Sequence, residues 1–280
     1  MKILTIDGGG VFGIIPAYFC SKMDISKFDA FAGTSVGSIL TLSYACGKTS
    51  QYVFDQFNTD VYNIFSSKEK KWINIKGAKF KDSKLNETLK KMIDRKYGEI
   101  AKPIFTTAFD IVNNKPKIFD NIKNTPDLAI DGWEVSRSSC AAPTYFSVWN
   151  GYIDGGVVAN NPSIIAAWGL LSKLGISFED MEILSLGTGW TPPRGWTTKE
   201  INSWWTWQWL SPIIDIAVDT NKDTFHFGCQ QMPFKKYVRF NEICLPDGYD
   251  FTDPKHNEKI LRWCKNSESK FMEVYEDFMK

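Results

Sequence analysis

Gly33-Thr34-Ser35-Val36-Gly37 is a G-x-S-x-G pentapeptide in a chain of 280 residues. It follows an apolar stretch at residues 28–32 that reads as a strand. It precedes an apolar helical run through about Cys46. A serine on such a strand-to-helix turn has its hydroxyl lifted clear of the sheet. Gly33 and Gly37 relieve crowding at the tight turn, and the helix N-terminus favours negative charge beside the hydroxyl. Ser35 is therefore placed as a nucleophile. A serine hydroxyl needs a base to take its proton. The usual base is histidine, and the chain has only His226 and His256. His256 falls in the expected first turn of a terminal helix, and His226 has no motif around it. A carboxylate is the expected base.

Asp154-Gly155-Gly156 supplies that carboxylate. An aspartate at a strand end beside two glycines has no bulky neighbours, so it can approach another loop closely. An isolated Asp-Gly would otherwise read as a tight turn. A third segment, Asp7-Gly8-Gly9-Gly10-Val11-Phe12-Gly13, directly follows the strand-like residues 2–6. Its glycines let the backbone turn sharply and present bare N–H groups to an anion. Two uses fit: a phosphate cradle, or an oxyanion hole for the charge developing on an attacked carbonyl.

Together these segments resemble the patatin-like phospholipase family, which carries D-G-G-G-x-R-G, then G-x-S-x-G, then D-G-G or D-G-A. Further similarity lies in Ala141-Ala142-Pro143-Thr144-Tyr145-Phe146, Asn160-Asn161-Pro162 and Ser185-Leu186-Gly187-Thr188-Gly189. The resemblance implies a Ser–Asp dyad of Ser35 and Asp154. It implies an oxyanion hole at Gly8, Gly9 and Gly10, with Asp7, Gly13, Gly33, Gly37, Gly155 and Gly156 as supporting motif positions. It implies hydrolysis of fatty acyl esters of phospholipids or related lipids, with no metal and no cofactor. One departure is Phe12, which stands where the family usually has arginine.

A reading from another class is a nucleotide-binding module. Gly8-x-Gly10-x-x-Gly13 after a strand matches the dinucleotide fingerprint, with Asp29 near the distance expected of a ribose-binding acid. It leaves Ser35 and Asp154 without a role. A third reading, suggested by Phe12 alone, is a weakly active lipid-binding or regulatory relative.

The elements needed to position these residues are those of an α/β fold with a mainly parallel central sheet flanked by helices. Short apolar runs alternate with amphipathic stretches throughout. Strands are expected at residues 2–6, 28–32, 104–112 and 183–186. Helices are expected at 83–95 with Ser83 as cap, at 161–174 with Pro162 in the first turn, and from Asp253 onward. The last has Pro254 at its first position and Ile260, Leu261, Cys264, Phe271, Tyr275 and Phe278 as its inner stripe. The motif-bearing core covers about residues 1–190 of a single domain, and about 190–280 is expected to be a variable lid or specificity region and C-terminal helices.

Net charge is +1, which gives no support for a nucleic-acid partner. The six cysteines lack C-x-x-C spacing, so they read as reduced, mostly buried thiols of a cytoplasmic protein rather than a zinc site. The first apolar run is too short for a signal sequence, and no stretch has the length of a membrane span. The expected partner is lipid met from outside a membrane surface or micelle; the sequence sets no oligomeric state. Trp190, Trp196, Trp204, Trp205, Trp207 and Trp209 fall within twenty positions. They suit a membrane interface, or the covering of a core or acyl pocket. Lys68, Lys70, Lys71, Lys76, Lys79, Lys81 and Lys84 form a basic run, suited to anionic headgroups or to a solvated loop.

Overall fold

Residues 2–6 are buried almost throughout, as befits a strand covered on both faces. In the computed structural model, which describes residues 1–66, 77–122, 125–192, 195–246 and 248–280, they form β1 (Lys2–Ile6). The chain continues through α1 (Ile14–Cys20), β2 (Ala30–Gly33), α2 (Val36–Ala45), α3 (Ser50–Ser66) and α4 (Asp82–Met92). Then come β3 (Ile104–Asp110), β4 (Lys115–Asp120), α5 (Gly132–Ser139), β5 (Tyr152–Asp154), α6 (Gly156–Ala159) and α7 (Ser163–Leu174). The remainder is β6 (Glu182–Leu186), α8 (Thr198–Ile201), α9 (Leu210–Gln231), β7 (Lys236–Phe240), α10 (Asn257–Asn266) and α11 (Glu268–Met279).

The strands form one sheet of order β4-β3-β2-β1-β6-β7, with β5 added against β3. Pairings β1–β2, β1–β6, β2–β3 and β6–β7 are parallel; β3–β4 and β3–β5 are antiparallel. The sheet is thus mainly parallel with helices on both faces. Alternation along β1 feeds two cores. Leu4 and Ile6 join α1, α2, α3, α4, α10 and α11 on one face, while Ile3 joins Ala166, Ala167 and Leu170 of α7 on the other.

Two features of this topology set the site. The strand order reverses at β1, since β2 lies on one side and β6 on the other. Loops after β1 and β6 diverge there and leave a crevice at the strand ends. In addition, β3 acts as a ruler. β4 takes one edge of β3, so β2 and β5 share the other. Gly33 of β2 is opposite Thr106 and Asp154 of β5 is opposite Ala108. Asp154 therefore stands two residues, roughly 7 Å, beyond the end of β2, where the turn after Gly33 delivers Ser35.

Some expected boundaries move. β2 begins at Ala30 and β3 ends at Asp110. α7 starts at Ser163, with Pro162 at its cap position. α4 starts at Asp82 after Lys81 and has no side-chain cap. Ser83 is not the cap, and the Asp82 carboxylate instead accepts hydrogen bonds from Arg137 at 2.6 Å and from the Ser147 N–H at 3.2 Å. The terminal helix is two helices. Asp253 does cap, accepting from the Lys255 N–H at 3.1 Å, but Pro254–His256 is a single 3-10 turn, and α10 and α11 meet at Ser267. Asn266 and Ser267 are weak helix-interior residues, because their side chains compete for backbone groups. The stripe survives the break: Ile260, Cys264, Phe271, Tyr275 and Phe278 are buried, and Leu261 is partly buried. All six cysteines are free thiols, with only Cys244 exposed. Among the described residues, no helix is long and apolar enough to cross a membrane.

After residue 190, β7 extends the sheet and α10 and α11 pack into the larger core. The same stretch also supplies Arg239. This side chain pairs through both terminal nitrogens with the fully buried carboxylate of Asp7 and donates to Ser185 Oγ at 2.8 Å. Removing one partner of a buried pair leaves the other charge unpaired in the interior. Arg239→Met should destabilise the protein by about 3–5 kcal/mol in urea unfolding. A loss below about 1 kcal/mol would show that Asp7 does not depend on this guanidinium.

Candidate active site

Ser35 occupies the residue before α2 with φ 51° and ψ −123°. A non-glycine residue there costs on the order of 1–3 kcal/mol and persists only when its surroundings fix it. Those surroundings are serines of α5 and of α2 itself. The Ser35 N–H donates to Ser139 Oγ at 2.8 Å. Ser38 Oγ donates to the Ser35 carbonyl at 2.6 Å and lies 2.8 Å from Ser136 Oγ. Gly33 and Gly37 are required by packing. A Cβ on Gly33 would lie 2.4 Å from the Gly37 carbonyl oxygen, and one on Gly37 would lie 2.1 Å from that of Ile6. Gly13 leaves room for Val36, whose Cγ2 would be 2.3 Å from a Cβ there.

Ser35 Oγ donates to Asp154 Oδ2 at 2.7 Å. The other carboxylate oxygen accepts the Gly156 N–H at 2.7 Å. The Asp154 and Gly155 N–H groups donate to the carbonyls of Ala141 and Ser139. Gly155 lies so close to β3 that a Cβ would sit 2.2 Å from the Thr107 carbonyl oxygen. Asp154 is only 8% exposed. Desolvation pushes its carboxyl up to about 6, against the lowering effect of its bonds from Ser35 and Gly156. A carboxylate in this range is ionised at neutral pH yet basic enough to accept a proton.

The glycine loop borders the same site. Its three amides are not equivalent, which narrows the expectation for Gly8. The Gly8 N–H donates to the Asn160 carbonyl at 3.1 Å, so it is occupied. The N–H groups of Gly9 and Gly10 have no partner among the described residues, and neither has that of Val36 at the start of α2. The loop is held from beneath by Arg239 on Asp7. From the side, Thr188 Oγ1 donates to the Gly8 carbonyl at 2.7 Å. Gly10 adopts φ 56°, and a Cβ there would meet the Phe251 carbonyl oxygen at 2.3 Å.

Ser35, Asp154, Gly8, Gly9, Gly10 and Val36 border one cavity of about 240 Å³. Its apolar wall comes from Phe57, Val61 and Ile64 of α3, Leu85 of α4, and Tyr145 and Phe146. Phe12 lines it too and is buried. Neither histidine borders it. His226 Nδ1 is 3.0 Å from the Tyr237 hydroxyl, and His256 stacks on Tyr249. Asp29 accepts from the Lys2 N–H at 2.8 Å, at the opposite end of the strands from the glycine loop. The arrangement expected of a dinucleotide site is therefore not formed.

Several positioning residues were missed by sequence reasoning. Ser136 and Ser139 sit in a helix with no catalytic motif; the serine-rich run Ser136-Arg137-Ser138-Ser139 was the available signal. Asn221 of α9 accepts from the Asn160 N–H at 2.7 Å and donates to the Gly156 carbonyl at 2.8 Å, clamping the Asp154 loop. Nothing local marks it. Of the tryptophans, Trp190 borders the cavity, Trp204 packs edge-on against Trp196 and Trp209, and Trp205 is 73% exposed. The Trp207 side chain lies outside the described residues, as do Lys68, Lys70, Lys71 and Lys76. Lys79 lies over the Tyr145 ring and bonds Thr252, and Lys84 pairs with Glu87.

Comparison with known proteins matches residues 4–167 to the model of the patatin-like phospholipase family. The chain belongs to that family. Patatin-like protein 2 of Arabidopsis thaliana is 28% identical over 88% of this chain and 75% of its own length. A cGAMP-activated phospholipase of Escherichia coli is 29% identical over 67% of this chain and 62% of its own. A potato protein named probable inactive patatin-3-Kuras 1 is 27% identical over 77% and 70%. Among solved structures, VipD of Legionella pneumophila aligns with TM-score 0.49 and 13% identity, over 99% of this chain and 67% of that one. Membership of the patatin-like family supports a lipid acyl hydrolase activity. The matched patatin-like region contains Ser35 and Asp154 but ends before β6, α9 and β7. The groups that brace the site from Thr188, Asn221 and Arg239 therefore lie outside it.

The raised carboxyl has a consequence for stability. The folded state holds the Asp154 proton more tightly than the unfolded chain, whose carboxyl titrates near 3.9. Stability therefore falls as pH rises from about 4 to about 6, by about 3 kcal/mol for a shift of this size. Asp154→Asn removes the buried charge and keeps an acceptor for Gly156. It should raise the thermal midpoint at pH 7 in calorimetry while removing activity. A lowered midpoint would contradict the desolvation account.

Proposed function

We propose that this protein is a serine acyl hydrolase that cleaves fatty acyl esters of lipids through a Ser35–Asp154 dyad. The observation that carries the reading is the 2.7 Å bond from Ser35 Oγ to Asp154 Oδ2 at the wall of a largely apolar cavity. As Ser35 Oγ attacks the acyl carbonyl, Asp154 takes its proton. The oxyanion accepts from the N–H groups of Gly9, Gly10 and Val36, with the α2 N-terminus adding favourable potential. The tetrahedral adduct collapses, the ester bond breaks, and Asp154 returns the proton to the departing alcohol. An acyl group remains on Ser35. Water then attacks that ester, Asp154 takes the water's proton, and fatty acid leaves as Ser35 regains its hydrogen.

The apolar wall from α3 and α4 suits an acyl chain. One relative's name marks it as probably inactive, so the reading rests on the paired hydroxyl and carboxylate as well as on the family. We assign the whole chain to one hydrolase domain, with α8 and the tryptophan-bearing stretch before α9 as its specificity region. Trp190 at the cavity and exposed Trp205 support peripheral contact with a lipid surface. A cytoplasmic location is part of this reading.

Ser35→Ala should reduce kcat on a diacyl phospholipid in mixed micelles at least about 10³-fold. For the wild type, kcat/KM should fall about tenfold per pH unit below about 6, because a protonated Asp154 cannot accept the Ser35 proton. Full activity in Ser35→Ala, or a rate flat from pH 4 to 8, would refute the dyad. Thermal stabilisation by NAD without any hydrolysis would favour the nucleotide-binding alternative.

A further inference from the structure

Lys222 is the one cation among the described residues that line the cavity, and it is only 7% exposed. A lysine ammonium has three donors. One bonds Asp219 Oδ1 at 3.0 Å, and the others have no partner among the described residues. Asp219 is itself half exposed, so its carboxylate can turn to water. The ion pair with Asp219, which also lines the cavity, meets the usual condition for a buried lysine; the donors left unfilled by described residues give this ammonium capacity for a second anion.

Its position is fixed by the loop that carries Asp154. The adjacent residue, Asn221, is hydrogen-bonded to both Asn160 and Gly156. Val218, one turn earlier on the same face of α9, packs 3.7 Å from where a Cβ of Gly156 would sit. Lys222 therefore borders the cavity from the α9 side, whereas the apolar lining comes from α3 and α4. The glycine loop offers no cation of its own, because Phe12 stands at the position of the family's arginine and contributes a buried ring.

Building on the hydrolase reading of this cavity, we propose that Lys222 receives the phosphodiester anion of a glycerophospholipid. The acyl chain being cleaved lies against α3 and α4, and the phosphate displaces the Asp219 carboxylate from the ammonium. Phosphate-bearing acyl esters are then preferred over neutral glycerides. Lys222 acts as a specificity residue and takes no part in proton transfer.

Binding is measured on Ser35→Ala protein, so that turnover does not interfere. Dihexanoyl phosphatidylglycerol and dihexanoylglycerol, each below its aggregation concentration, are titrated calorimetrically, and the ratio of their affinities is read. Lys222→Met should lower that ratio at least about tenfold, the size of a lost charge-assisted hydrogen bond. Lys222→Arg should keep it within about threefold, because the charge remains. An unchanged ratio in Lys222→Met, equal weakening of both ligands, or loss of the ratio in Lys222→Arg would overturn the proposal. Inorganic phosphate titrated alone separates the sources. Binding tighter than the phospholipid's would reassign the site to the free anion and overturn the headgroup assignment; weaker binding supports it. Hydrolysis of both lipids by wild type is followed separately. Absence of Ser35-dependent turnover would sink the hydrolase reading, while the binding ratio still decides the role of Lys222.

Discussion

A carboxylate taken out of water and given one hydroxyl and one backbone N–H as partners is the constraint around which this protein is arranged. Asp154 is held where its charge is costly, so its carboxyl is pushed up to about 6. In the proposed dyad, that cost is what equips it to act as a base. In water the same side chain would be a poor proton acceptor at neutral pH. The fold must therefore hold it buried against Ser35 without supplying the further donors that would quiet it. β3 does this geometrically, by pairing with β2 and then with β5 along one edge. Distance along a single strand sets the separation of the two loops, so it does not depend on flexible side chains.

The surrounding contacts hold backbone more than side chain. Ser139 fixes the Ser35 N–H, Asn221 fixes the Asp154 loop through Asn160 and Gly156, and Thr188 and Arg239 fix the glycine loop. Each of these bonds joins segments more than 50 residues apart. In the proposed reaction these amides need such bracing, because an oxyanion hole is effective only if its donors need not reorient. The buried Asp7–Arg239 pair belongs to this group. It ties the start of the glycine loop to a strand that the family model does not reach.

The candidate residues Ser35 and Asp154 stood out in the sequence because their neighbours are constrained by contact. Gly33, Gly37 and Gly155 each sit where a Cβ would overlap backbone oxygen, and such positions leave glycine in the sequence. The mainly parallel sheet was legible for a similar reason, since strands covered on both faces are apolar throughout. Bonds between distant segments were not. Nothing near Gly8 says that its N–H is taken by Asn160, and nothing near Asn221 says that it holds the Asp154 loop. The expected cap at Ser83 failed because Asp82 is drawn to Arg137, a partner 55 residues away. The long terminal helix divides at Ser267, where weak local propensity coincides with a change of packing partner, α10 lying against α1 and α11 against β7. The stretch after residue 190, read as a lid or specificity region with C-terminal helices, also carries β7, a strand that the sequence reading did not mark.

The central claim is that Ser35 is activated by Asp154, and covalent trapping tests it most directly. The protein is treated with a fluorophosphonate across pH 4.5–8, and the adduct is followed by intact mass and mapped by peptide sequencing. The account predicts one adduct, on Ser35, forming at a rate that rises through about pH 6 and is lost in Asp154→Asn. An adduct on another residue, or labelling of Ser35 that is indifferent to Asp154 and to pH, would contradict it.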